Sequence, residues 1–217
     1  MPCDIAYATA YDFAVFWCLQ VPYVGFDDSG GTGNAFLTDT LANFTMPSGD
    51  PGIPIQVGMP IYNATKLTYG KVTGVAATIL NTTNAWDTTN EYRLMPISAA
   101  EVATIEQFLD IAANDLFAAM AATGMCDCTL ASWAAGYLKK LNLIDAMVIH
   151  NCPCGNPNLT NEQKQMWLNW VTEQLNHIRL GEIELCQGET SVDYPALAWA
   201  KSGLTEWTRA QIFVDED

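Results

Sequence analysis

The chain has 217 residues, half of them hydrophobic, and a formal net charge of −15 at pH 7. This length suits one ordinary domain with a small insert, and the hydrophobic content allows a sizeable core. Only nine residues are Lys or Arg. This argues against a DNA-binding protein, because binding to the phosphate backbone requires cationic side chains. A wall past which DNA slides without binding remains compatible with this charge.

The sequence gives no sign of a membrane span or a secretory signal. No apolar run reaches about eighteen residues, the length needed to cross a bilayer. The opening segment MPCDIAYATAYDF lacks the basic start of a signal peptide. We therefore expect the seven cysteines to be reduced thiols, metal ligands or core residues rather than a disulfide framework. For the same reason, the N-x-T sequons at Asn43, Asn63 and Asn81 are interpreted as polar turns and strand ends.

Residues 7–20, YATAYDFAVFWCLQ, predict a short helix. Thr9 is a suitable N-cap, and Asp12 follows at a position that satisfies the free amides of the first turn. The run FDDSGGTGN ends this region and predicts a loop. It does not indicate a phosphate site, because it lacks the P-loop lysine and Asp27 and Asp28 would repel an anion.

Residues 35–97 are rich in Gly, Pro, Thr and β-branched residues and predict a small antiparallel β unit inserted between helices. The segments IPIQVGMPIY, KLTYGKVTGVAATIL and EYRLMPI favour strands. The clusters SGDPG and NTTNAWDTTN favour turns between them.

Three longer helices are predicted after residue 97. Ser98 and Glu101 form a capping box before apolar residues at a spacing of three and four: Val102, Ile105, Leu109, Ala112 and Leu116. A second helix carries Leu130, Trp133, Tyr137, Leu141, Ile144 and Val148 at the same spacing. Thr160 and Gln163 form the capping box of a third, with Leu168, Val171, Leu175 and Ile178 facing inward. Short connections between such helices favour antiparallel packing.

The expected fold class is α+β but mainly α: an antiparallel helical bundle with a small β-rich insertion and an extended C-terminal tail. The predicted divisions are residues 1–34 (first helix and loop), 35–97 (insertion), 98–188 (bundle) and 189–217 (tail). The tail has large apolar residues without clear periodicity, which is typical of a segment that docks on another surface, although folding back onto its own bundle is an equal alternative. The candidate docking residues are Tyr194, Leu197, Trp199, Leu204, Trp207, Ile212 and Phe213.

The paired cysteines in MCDCTL and NCPCGN resemble a four-cysteine zinc site. A continuous helix of about 31 Å would separate the two pairs, whereas zinc needs all its ligands within about 2.3 Å. Antiparallel packing instead predicts that Cys126 and Cys128 lie near Cys186, and His150, Cys152 and Cys154 at the other end. Buried thiols are the favoured interpretation, no cofactor is expected, and zinc at Cys126, Cys128 and Cys186 stays an alternative.

No pattern indicates an enzyme. His150 and Cys152 have the residue types of a base and a nucleophile, but any His and Cys near a helix end have the same appearance. Acidic residues are scattered rather than paired. The aromatic stripe of Trp133, Trp167 and Trp170 is interpreted as core.

Several segments together resemble the head-to-tail adaptor (connector) proteins of tailed bacteriophages. The resemblance covers residues 5–20 and 98–188, with YATAYDF as the opening helix and EVATIEQFLDIAANDLFAAMAATG as an Ala-rich second helix. LASWAAGYLKKLNLIDAMVIH and WLNWVTEQLNHIRLGEIEL follow as the third and fourth. The β-rich stretch 35–97 departs from the family, which has a shorter connection there, and the clustered cysteines are not part of its general pattern.

The resemblance implies a structural virion protein in the neck between head and tail, made in the host cytoplasm. Such adaptors form a ring, usually of about twelve copies, that binds the portal protein through C-terminal segments and a downstream tail or neck protein on the other side. DNA would pass through the ring without specific binding, and no membrane partner is expected. The alternatives are a metal-binding or thiol protein on a helical bundle, and a β-domain binding module of a virion surface.

Overall fold

The computed structural model describes residue 3 and residues 6–17, 22–46, 54–154 and 159–187, which contain four α-helices and six strands. The helices are α1 (Ala10–Trp17), α2 (Ala99–Ala121), α3 (Ala134–Val148) and α4 (Asn161–Arg179), with a 3-10 turn at Met125–Asp127. The strands are β1 (Tyr23–Phe26), β2 (Asn34–Thr38), β3 (Pro60–Asn63), β4 (Thr68–Val75), β5 (Ile79–Trp86) and β6 (Glu91–Leu94). None of the described helices is long and apolar enough to span a lipid bilayer.

The six strands form one antiparallel sheet in the order β1-β6-β3-β4-β5-β2. β1 and β2 are consecutive in the chain but form its two opposite edges. Hydrogen bonds join these edges, because the Asp28 amide donates to the Thr38 carbonyl (2.6 Å) and the Thr38 amide donates to Asp27 Oδ1 (2.9 Å). The sheet therefore curls around one apolar interior, which is made of Leu37, Ala42, Phe44, Ile55, Met59, Ile61, Val72, Leu80, Trp86, Tyr92 and Leu94.

The prediction of a mainly α-helical bundle with a small β insertion is wrong. Helices make up 40% of the described residues and strands 21%, and the strands form a curled half-barrel. One reason is β5, which continues through the NTTNAW segment that was predicted as a turn. Residues 80, 82, 84 and 86 of β5 are buried and the alternate residues are exposed. The polar interior residues find partners inside the half-barrel: Trp86 Nε1 donates to Thr82 Oγ1 at 2.6 Å, and Asn84 Nδ2 donates to the Thr68 carbonyl of β4 at 3.0 Å. The polar composition of β5 is the reason that this segment was predicted as a turn.

β1 and β2 are the other difference from the expected fold. Both lie in or beside the segment predicted as a loop, and neither is long. Asp27, at the end of β1, accepts hydrogen bonds from Ser29 and Thr38, so the polar residues of this segment organise the connection between the two edges. The antiparallel arrangement of the β unit was predicted correctly, but its size was underestimated.

A buried carboxylate, Asp39, stabilises the closed side of the half-barrel. Its Oδ2 accepts a hydrogen bond from the Tyr92 hydroxyl at 2.6 Å, and its Oδ1 accepts from the amides of Leu41 and Ala42 at 2.9 and 3.2 Å. A Cβ at position 25 would stand 2.6 Å from Asp39 Oδ2 and closer still to the Tyr92 hydroxyl. Only glycine therefore fits where β1 passes this pair.

The helices begin and pack largely as their sequence predicts. The capping boxes of Ser98–Glu101 and Thr160–Gln163 are both formed, and Thr9 Oγ1 accepts from the Asp12 amide at 3.2 Å at the start of α1. All five inward positions predicted for α2 are buried. These local signals were readable because capping and helical periodicity depend on neighbouring residues.

α3 and α4 run antiparallel to each other. The Tyr137 hydroxyl donates to Gln174 Oε1 at 2.9 Å. One turn later in α3, Lys140 Nζ lies over the rings of Trp167 and Trp170, at 5.6 and 5.4 Å from their centroids, one to two turns earlier in α4. Burial lowers the pKa of Lys140 to about 8, and the aromatic faces offer the ammonium partial compensation.

Polar contacts join the half-barrel to the helices. Asp12 Oδ1 in α1 accepts from the Tyr69 hydroxyl of β4 at 2.8 Å and pairs with Lys139 Nζ of α3 at 2.5 Å. Lys71 of β4 pairs with Glu106 of α2 at 2.6 Å. The described residues up to Cys186 belong to one compact unit, and these joints lie within it.

Replacing Tyr92 by Phe removes the hydrogen bond to a buried carboxylate. We expect the free energy of unfolding to fall by about 1.5–3 kcal/mol, the range for hydrogen bonds to charged groups. Tyr137→Phe removes a hydrogen bond to a neutral amide and should cost only about 0.5–1.5 kcal/mol. Urea unfolding of both variants at neutral pH measures the difference, and equal losses would contradict the role given to Asp39.

The same contact predicts how stability depends on alkaline pH. Burial, then the hydrogen bond to Asp39, raise the pKa of Tyr92 well above its usual value. The unfolded chain releases this proton above about pH 10 whereas the folded protein retains it, so the stabilisation is complete below that pH and is lost as pH rises. Stability of Tyr92→Phe should therefore decline less steeply than that of the wild type between about pH 10 and 12. Parallel declines would show that Tyr92 does not titrate as proposed.

Candidate functional site

Two disulfides lie at one end of the helical layer, and we call the four residues Cys3, Cys126, Cys128 and Cys186 the disulfide clamp. Cys3 is bonded to Cys126, and Cys128 is bonded to Cys186, across 123 and 58 residues of sequence. Backbone contacts support the second bond, since Leu130 forms a β-bridge with Cys186 and the Ala131 amide donates to the Leu185 carbonyl at 2.8 Å. The clamp therefore connects the N-terminal segment, the α2–α3 connection and the segment after α4.

The clamp confirms one sequence prediction and corrects another. Cys128 lies next to Cys186, as the packing argument predicts. The expectation of reduced thiols is wrong for all four clamp residues, because the fold brings distant cysteines within bonding distance. Sulfurs held in disulfides are not thiolates, so the structure offers no thiolate for zinc at Cys126, Cys128 or Cys186. Nothing in the sequence around Cys3 indicated its partner.

The predicted docking residues of the tail, from Tyr194 to Phe213, lie outside the described residues. The structure does define the point from which the tail begins, because Cys186 is covalently linked to the α2–α3 connection. Two large apolar side chains are exposed in segments that flank the clamp: Trp133 is 42% exposed and Leu180 is 71% exposed. The prediction that Trp133 belongs to the core is thus wrong, whereas Trp167 is buried as predicted.

His150 contacts carboxylates. Its Nε2 lies 2.9 Å from Asp115 Oδ2 and 3.6 Å from Asp145 Oδ1. Cys152 and Cys154, which the sequence places beside it, form no disulfide; the first is buried and the second is half-buried. The sequence gave no signal for Asp115, which α2 contributes from 35 residues earlier in the chain. We call Asp115, Asp145 and His150 the acid–histidine cluster. The sequence analysis did not predict this group.

Asp145 is the unusual member of the acid–histidine cluster. Its side chain is completely buried, and neither carboxylate oxygen has a hydrogen-bond partner among the described residues. Burial raises the pKa of Asp145 to about 8, and the nearby charge of Asp115 adds to the shift. A buried carboxylate without hydrogen bonds needs a proton or a cation to neutralise it.

The clamp predicts a large and specific effect of removing one disulfide. The double variant Cys128→Ser/Cys186→Ser should lose about 4 kcal/mol of unfolding free energy, because a cross-link of this span restricts the unfolded chain strongly. Cys154→Ser changes a half-buried cysteine outside the two disulfides and serves as the matched control, with an expected loss of less than about 1 kcal/mol. Urea unfolding without reductant compares them. A double variant as stable as the control would mean that Cys128 and Cys186 are not bonded in solution.

Comparison with known proteins adds no relative: no family model, no curated protein and no solved structure matches the chain. Its function is therefore inferred from its own residues and their geometry.

Proposed function

We propose that the protein is a structural virion protein: a head-to-tail adaptor that forms a ring, joins the portal to the tail or neck, and surrounds the DNA channel. The observation that carries this proposal is the point at which the tail begins. A segment of thirty-one residues, 187–217, which contains four large aromatic residues, follows a residue that a disulfide attaches to the helical layer. A docking segment that is anchored at its start would hold the adaptor ring in a defined position on the portal ring.

The order of the helices supports the proposal. α1 is followed by α2, α3 and α4, and the closing RLGEIEL segment leads directly to the clamp. This is the order that the resemblance to the adaptor family implies. The half-barrel between α1 and α2 departs from that family, so its role in a ring is specific to this chain.

The half-barrel offers a second surface, which a ring subunit requires because it contacts both its neighbours and the next component of the neck. β1 is an edge strand, and its Val24 and Phe26 side chains are 48% and 57% exposed. Exposed apolar side chains on an edge strand favour contact with another chain. We assign this edge to a contact within the ring or with the tail-side partner.

The charge of the chain supports passage of DNA without binding. With 24 acidic and nine basic residues, an axial channel built from many copies would repel the phosphate backbone.

The two disulfides fit a protein that works outside a reducing cytoplasm, as virion proteins do after release. The proposed site of action is therefore the virion neck.

A metal-binding function on the same fold is favoured by one observation, the acid–histidine cluster, and it does not exclude an adaptor. The other alternative, a separate β-domain binding module, is less favoured. Polar contacts join the half-barrel to the helices: Asp12 contacts Tyr69 and Lys139, and Lys71 pairs with Glu106. These contacts argue against a half-barrel that acts as a separate module.

Removing residues 188–217 should abolish assembly onto the portal while leaving the rest of the chain folded. The full chain and the shortened chain are each mixed with the portal protein of the same virus and weighed by native mass spectrometry. The full chain should join the portal in many copies and the shortened chain should not. Equal thermal unfolding of the clamp-containing part in both chains controls for misfolding.

A point-substitution series sharpens the test. Trp199→Ala/Trp207→Ala should weaken portal binding several hundredfold, because two buried aromatic anchors at about 2 kcal/mol each contribute about 4 kcal/mol together. Thr205→Ala lies in the same segment and should leave binding unchanged. The adaptor proposal would be refuted if the full-length chain did not bind the portal protein, or if the shortened chain bound it as well as the full-length chain.

A further inference from the structure

The acid–histidine cluster has the geometry of an open metal site. Ligand atoms bound to one small divalent cation at about 2.0–2.1 Å are separated from each other by about 3.0–3.4 Å. His150 Nε2 lies 2.9 Å from Asp115 Oδ2 and 3.6 Å from Asp145 Oδ1, and the three ligand atoms all lie within 4.8 Å of one another. Small side-chain rotations suffice to place all three around one ion.

Asp145 supplies the independent reason to expect a ligand. It has no exposed surface, and its two oxygens find no hydrogen bond among the described residues. Buried polar groups almost always form hydrogen bonds, and a buried carboxylate that forms none must be neutralised by a proton or by a cation. A cation between Asp145, Asp115 and His150 would remove this deficit.

The donor set selects the kind of cation. One imidazole nitrogen and two carboxylate oxygens suit divalent first-row transition metals such as Zn²⁺ and Mn²⁺, whereas Mg²⁺ and Ca²⁺ prefer oxygen ligands alone. Access is possible because the side chains of Asp115 and His150 are partly exposed, at 45% and 22%. Asp145 forms the closed inner wall of the site.

We propose that Asp115, Asp145 and His150 bind one divalent transition-metal ion that links α2 to the end of α3. Three protein ligands leave the remaining coordination positions to water. The ion would attach the C-terminal half of α2, through Asp115, to the end of α3 and the residues that follow it, through Asp145 and His150. None of these three residues belongs to the disulfide clamp. This proposal is independent of the adaptor function.

The proposal is tested with the full chain, stripped by a chelator and then titrated with Zn²⁺. Calorimetry should give one ion per chain, and Zn²⁺ should raise the unfolding temperature, because it binds only the folded state. Asp115→Asn should weaken Zn²⁺ binding at least tenfold. Asp110→Asn changes an exposed carboxylate of the same helix and should bind Zn²⁺ like the wild type.

Asp145→Asn separates a metal role from a purely structural one. The amide has the same shape without the charge, so the metal-free variant should be at least as stable as the metal-free wild type. It should nevertheless lose the rise in unfolding temperature caused by Zn²⁺. A variant that keeps this rise would overturn the proposal.

Two further variants identify other sources of binding. His177 contacts Glu173 and Glu182 on the surface, so loss of Zn²⁺ binding in His177→Gln alone would place the ion there and refute the proposal. Co²⁺ in place of Zn²⁺ should show no thiolate-to-metal absorption. Such absorption, removed by Cys152→Ser/Cys154→Ser, would assign the ion to these two cysteines and refute the proposal.

Discussion

The disulfide clamp is the constraint on which the rest of the account depends. It connects residue 3, the α2–α3 connection and residue 186, so three segments that are distant in sequence meet at one end of the helical layer. Each bond closes a long stretch of chain and stabilises the fold chiefly by restricting its unfolded state. The same bonds give the C-terminal tail a fixed origin.

The helical layer that carries the disulfide clamp is combined with a curled β-sheet. The half-barrel closes on itself through Asp39 and Tyr92, and it is attached to the helices by a few charged contacts centred on Asp12 and Glu106. Such an arrangement gives one body with different surfaces: the exposed apolar side chains of β1 on the sheet and the origin of the tail after α4. A ring subunit needs surfaces of this kind, and strong negative charge suits the channel that such a ring surrounds.

The helices could be predicted from the sequence because their signals are local. Ser98 and Glu101 lie three residues apart, and the apolar spacing of α2 repeats within each turn. The half-barrel was less predictable, since β5 carries the polar residues Thr82 and Asn84 toward the interior. Their partners, Trp86 in the same strand and the Thr68 carbonyl of β4, are brought into reach only by the folded sheet. The proximity of Cys128 to Cys186 could be predicted from the packing of the helices. The Cys3–Cys126 disulfide and the contact between Asp115 and His150 could not, because they depend on tertiary contacts between segments that are distant in the sequence.

The most direct test of the adaptor account is single-particle cryo-electron microscopy of the full chain assembled with the portal protein of its virus. The account predicts a closed ring of many copies around an axial channel, with the end that carries Cys128 and Cys186 facing the portal and residues 188–217 seated on it. A portal without added density would contradict the account. So would a ring that contacts the portal through the half-barrel while the clamp end points away.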